Sequence, residues 1–216
     1  MLELLRKQIP GEEFDYQMLL EALKDYARPR DKITRLLRRK EIVRVKKGLY
    51  IFGESLSRRP FSREVLANMI YGPSYVSLDY ALAYHGLIPE RVEAVTSVTT
   101  KRSRRFATPI GLFIYRGIPS EVYPIGVDRV EIEGGRSFLI ARPEKALADK
   151  VQADRGTGIR TQAEINEYLV KHLRIDESTL SGLNADLIAQ IAQGYRSRRV
   201  ALLESILRRQ RRSAHA

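Results

Sequence analysis

Ile33, Leu36 and Leu37 recur at the spacing of one buried helical face, and the chain then passes directly into two β-rich runs. At about 100° per residue, Arg35, Arg38 and Arg39 fall on the opposite side of that helix. Ile42-Val43-Arg44-Val45 and Leu49-Tyr50-Ile51-Phe52 follow, joined by Lys46-Lys47-Gly48, which reads as a β-hairpin. Upstream, Asp15 is expected to cap another helix, with Phe14 packed on Leu19 as a hydrophobic staple. Leu19, Leu20, Leu23 and Tyr26 would form its apolar face, fading near Ala27 because Pro29 disfavours helical geometry before it. Asp31 is expected to cap the second helix. Helix, turn, basic helix and basic hairpin is the order of a winged helix-turn-helix. Its second helix enters the major groove and its hairpin tip reaches backbone or minor groove. The same residues would also suit a helical hairpin with a solvated basic face, or a module used for protein contacts.

Charge follows this pattern. The formal net charge is +12. Residues 1–60 hold 15 basic and 9 acidic side chains, residues 196–216 hold 7 and 1, and the middle is balanced. A positive field segregated in this way suits a polyanion, because phosphate contacts release counterions. The guanidinium fork can clamp phosphate or read guanine. The candidate DNA-binding residues are therefore Arg28, Arg30, Lys32, Arg35, Arg38, Arg39, Arg44, Lys46 and Lys47, with double-stranded DNA as partner. Lys101, Arg102, Arg104 and Arg105, in an expected loop between strands, are either further phosphate contacts or a solvated tip.

Arg58-Arg59-Pro60 reads as a linker between a winged module over 1–58 and a mixed α/β domain over 61–216. The fold class is thus α+β, with a small sheet and C-terminal helices. Arg63 to Tyr71 and Leu78 to His85 are predicted helices, the second capped by Ser77. Strands are expected over Val92 to Thr99, Leu112 to Tyr115, Val130 to Glu133 and Phe138 to Ala141, with Gly134-Gly135 turning the last pair. Pro143 opens a helix to about Asp154, and Thr161-x-x-Glu164 is a capping box. Two more helices cover roughly Asn184 to Gln193 and Arg196 to Arg212.

No catalytic, metal-ligating or cofactor-binding residue is expected. The chain has no cysteine, and His85, His172 and His215 match no zinc spacing. Phosphate-loop, dinucleotide and nucleophile-elbow motifs are absent. No apolar stretch is long enough to span a bilayer, and Glu3, Arg6 and Lys7 interrupt any secretory core, so a cytoplasmic protein is the expectation. Glu144-Lys145 and Asp149-Lys150, downstream of Asp128, offer an alternative. They resemble the acid-plus-lysine arrangement of a metal-dependent nuclease, which the winged module would target to DNA. Against it, Glu144 and Lys145 point about 100° apart. The plainer expectation is a solvated face with Ala146, Leu147 and Val151 buried. Tyr80, Tyr84 and His85 read as core and rim packing.

Three stretches carry a family resemblance: Ser74 to Pro89 (SYVSLDYALAYHGLIP), Val95 to Thr100 (VTSVTT) and Arg142 to Lys150 (RPEKALADK). With Leu36 to Tyr50, they resemble the antitoxin family of AbiE-type abortive-infection systems, AbiEi-like regulators of the bacterial type IV toxin–antitoxin class. The likeness covers roughly residues 12–150. It implies an N-terminal winged domain that binds inverted repeats upstream of its own operon and represses it. It also implies a second domain that counters a nucleotidyltransferase-type toxin. On that pattern Arg35, Arg38, Arg39, Arg44, Lys46 and Lys47 contact DNA, and the family brings no catalytic residue.

Overall fold

The computed structural model describes residues 2–213, so His215 lies outside them. Among the described residues the protein is a mixed α+β structure with ten α-helices and two sheets.

The N-terminal unit contains α1 (Leu2–Gln8), β1 (Glu13–Asp15), α2 (Tyr16–Ala22), α3 (Pro29–Arg38), β2 (Ile42–Lys46) and β3 (Leu49–Phe52). Asp15 caps α2 as its type dictates, the carboxylate accepting from Met18 N–H at 2.8 Å. Two boundaries differ from expectation. The helix α2 stops at Ala22 and turns at Leu23, well before Ala27. Helix α3 begins at Pro29 with Arg28 at the cap, ahead of Asp31, because proline's fixed φ and missing N–H fit the first helical position. Asp31 instead sits in the first turn, where its charge meets the positive end of the helix dipole. The strands β1-β3-β2 pair antiparallel, and Gly48 takes φ +85° at the hairpin tip, a conformation that glycine adopts freely.

Both faces of β3 are buried. Side chains alternate along a strand, so Tyr50 and Phe52 pack with Phe14, Leu19, Ile33 and Leu36 in one cluster. Leu49 and Ile51 face the other way and join the larger core of the remaining chain.

That remainder begins with α4 (Arg63–Ile70), β4 (Ser74–Val76), α5 (Leu78–Tyr84), β5 (Val95–Thr99), β6 (Arg104–Thr108) and β7 (Gly111–Gly117). It continues with β8 (Val127–Ile132), β9 (Arg136–Ala141) and α6 (Pro143–Ala153). Its last helices are α7 (Gln162–Glu167), α8 (Glu177–Ser181), α9 (Ala185–Tyr195) and α10 (Arg198–Ser213). The six-stranded sheet has order β6-β7-β5-β4-β9-β8, with β4/β9 and β5/β7 parallel. Helices cover both faces, and two successive residues of β4 show it. The Ser74 hydroxyl reaches Ala67 O in α4, and the Tyr75 hydroxyl reaches Asp149 in α6. Strand β6 lies where a loop was expected, so Arg104 and Arg105 occupy a sheet edge paired antiparallel to β7.

Ser62 caps α4, its buried hydroxyl accepting from Val65 N–H at 3.1 Å. Ser62→Ala is expected to lower stability by about 1 kcal/mol, read from the denaturation midpoint in urea, with little change in slope.

Candidate nucleic-acid interface

Helix α3 buries Ile33 and Leu36, and so must turn Arg30, Arg35 and Arg38 outward, with Arg39 following at its C-terminal cap. All four are exposed. Arg28, Arg30, Arg35 and Arg38 make no side-chain hydrogen bond or ion pair with the described residues, and Arg39 has only a loose 3.9 Å approach to Glu41. Exposed Arg44 and Lys47 on the adjoining hairpin likewise make no side-chain hydrogen bond or ion pair with the described residues, although the Arg44 charge acts on the phenol of its cross-strand neighbour Tyr50. Guanidinium groups without internal partners keep their whole donor fork available to a ligand.

Two of the expected contacts turn inward. Lys32 is buried, its ammonium 5.6 Å above the Tyr26 ring, because the helical turn that carries it also carries Ile33 and Leu36 into the core. Lys46 donates to Ile70 O at 2.8 Å and lies 4.8 Å over the Phe106 ring. It therefore joins the hairpin to α4 and β6.

That junction places the second basic run next to the first. Tyr71 packs 5.6 Å from Phe106, Arg104 lies 5.6 Å over Tyr71, and the Lys101 ammonium donates to Gly72 O at 2.6 Å. Lys101, Arg102, Arg104 and Arg105 are all exposed. A second strut fixes the relative position of the two units. Buried Glu13 accepts from Arg136 at 2.8 Å and from the backbone N–H of Ser62.

The acid–lysine stretch of α6 is not a solvated face. Glu144, Lys145 and Asp149 are all buried. Lys145 and Asp149 stand one helical turn apart and meet at 2.8 Å. Asp149 also accepts from Tyr195 at 2.5 Å, Ser77 at 2.8 Å and Tyr75 at 3.0 Å. Ser77 precedes α5 as expected, but its hydroxyl goes to Asp149 and does not cap the helix. The Lys145 ammonium has no other acceptor among the described residues and lies against the rings of Tyr195 and Tyr75, at 4.8 and 5.8 Å. Burial lowers its pKa below the ordinary lysine value, against the pull of Asp149. Burial first, and the Asp149 charge second, push the Tyr75 and Tyr195 phenols far up, so both remain protonated donors. The other nuclease-like carboxylates point elsewhere: Glu144 accepts from Asn184 N–H at 2.9 Å, and exposed Asp128 lies 3.6 Å from Arg142. Among the described residues no group of three or more His, Asp or Glu side chains is placed to hold a metal ion. His85 is a packing residue, its Nε2 2.8 Å from Ala141 O.

No protein-family model matches the chain, and no curated protein matches it. Among solved structures it is similar to the RV2827C protein from Mycobacterium tuberculosis, with a TM-score of 0.54 and 16% identity over 95% of this chain and 78% of that one. At that identity the likeness is one of fold. No helix among the described residues is long and apolar enough to cross a membrane.

Proposed function

We propose that the protein is a DNA-binding autoregulator and the antitoxin of a type IV toxin–antitoxin pair. Its N-terminal unit is read as a winged helix-turn-helix, with α3 in the major groove and the β2–β3 hairpin on the backbone. One observation carries this reading: α3 and the hairpin display arginine and lysine outward that, Arg39's loose approach to Glu41 aside, make no side-chain hydrogen bond or ion pair with the described residues. The exposed basic residues at the edge of β6, a strand that Lys46 ties to the hairpin, are read as further phosphate contacts. Lys32 and Lys46, committed inward, are left out of the interface.

The test is a mobility shift with a fragment from upstream of the protein's own gene. Affinity should fall steeply with salt, and Arg44→Ala with Lys47→Ala should reduce the slope of log K against log salt by about 2. An unchanged slope would remove the hairpin from the interface.

The antitoxin half rests on the resemblance of the three stretches in the larger domain, which meet in space. Ser77 of the first exchanges hydrogen bonds with Thr96 of the second, and donates to Asp149 of the third. The three stretches therefore meet at the buried side chains of Ser77, Thr96 and Asp149. Where the adjoining reading frame encodes a nucleotidyltransferase, co-expression of the full chain should restore growth. Persistent arrest would exclude the antitoxin role.

A further inference from the structure

A cleft of about 420 Å³ opens on the α6 face of the six-stranded sheet, between β5, the segment after β7, and the ends of α6 and α9. Its size falls within the range of roughly 300–1,000 Å³ that suits small-molecule ligands. Leu78, Val98, Ile118 and Pro119 supply apolar wall, and Asp149 with Tyr195 reaches its edge from the buried network.

Three donors converge on this space without partners. Arg116 stands opposite Val98 in the parallel β5/β7 register, so both side chains rise from the same face. Its guanidinium makes no hydrogen bond or ion pair with the described residues. Ser103 Oγ accepts from Gly117 N–H at 3.0 Å, which leaves its own proton to donate. Gln152 uses its carboxamide oxygen to accept from Ser197 at 2.6 Å, leaving the NH₂ group open. The one carboxylate that lines the cleft among the described residues is already engaged. The Asp149 carboxylate already receives three hydroxyls and the Lys145 ion pair, which offsets its charge. A cationic fork, a hydroxyl and an amide donor beside apolar walls match an anionic group attached to an apolar body.

We propose that this cleft binds a small organic anion, its phosphate or carboxylate held by Arg116, Ser103 and Gln152 and its apolar body lying against Leu78, Val98, Ile118 and Pro119.

Thermal melting of the full chain would be followed with adenosine and uridine 5′-monophosphate, phenyl phosphate and salicylate. Adenosine, uridine, phenol and inorganic phosphate serve as counterparts lacking either the charge or the body. At least one organic anion should raise Tm in proportion to the logarithm of its concentration, while its counterparts do not. Response to a nucleotide or to an aryl anion identifies the kind of body accepted. Arg116→Gln, a change at an exposed position, should weaken that binding at least about tenfold, since it removes a charge-assisted pair. Ala153→Phe, which fills the cleft from the exposed end of α6, should abolish it. The proposal falls if none of the four anions shifts the melt, or if a shift is equal in Arg116→Gln. It falls equally if adenosine, phenol or inorganic phosphate acts as strongly as the organic anions.

Discussion

Asp149→Ala is expected to cost about 4 kcal/mol, lowering Tm by on the order of 10 °C. The carboxylate sits between α5, α6 and α9 and receives the hydroxyls of Tyr75, Ser77 and Tyr195 together with the Lys145 ammonium. Deleting it leaves three hydroxyls and one buried cation without their shared acceptor, and an uncompensated charge is the largest of these penalties. The double variant Lys145→Met with Asp149→Ala should recover part of the loss, because the stranded cation is then gone. A coupling of about 2 kcal/mol between the two sites is expected from the cycle in urea denaturation. Asp149→Ala melting with the wild type would show that the network contributes nothing to holding the three helices on the sheet.

This network was also the part of the protein least legible in the sequence, and the reason is geometric. Glu144 and Lys145 are neighbours that diverge around the helix, and side chains spread in that way read as a solvated face. Lys145 and Asp149 stand four residues apart and therefore face the same way. The usable signal was that Ala146, Leu147, Ala148 and Val151 leave α6 almost no polar side, so a charged pair among them had to be buried and paired. Local rules worked where local chemistry decides: the Asp15 cap, proline opening α6, the capping box at Thr161, and the Gly134-Gly135 turn. They failed where tertiary pairing decides. β1 and β4 hold three residues each and exist only because β3, β5 and β9 are there to pair with them. β6 carries two adjacent arginines on an edge, where charge is tolerated because one flank of the strand stays in water. The outward arginine face of α3 could be read from periodicity alone. Lys32 could not, since its burial depends on Tyr26 and the packing of α1 and α2 around it.

Reversing charge on that face separates folding from binding. Arg35→Glu with Arg38→Glu changes two exposed side chains that have no hydrogen-bond or ion-pair partner among the described residues, so the cost to stability should be limited to opposing the helix dipole in the last turn of α3, about 0.3–1 kcal/mol per site. Each arginine in a groove or on a phosphate contributes roughly 1–3 kcal/mol of recognition, and each glutamate adds repulsion from the duplex. Together the two changes should weaken binding to the upstream fragment by at least about 100-fold. Arg196→Glu with Arg198→Glu, exposed residues where α9 passes into α10, alters net charge by the same amount and tests whether the total field suffices. That variant should lose only a small factor, and the loss should vanish as salt rises. Equal losses in the two double variants would mean that α3 has no privileged place on DNA and that the protein binds through diffuse charge. A full shift by the α3 variant would remove the helix from the interface and, with it, the proposed repressor.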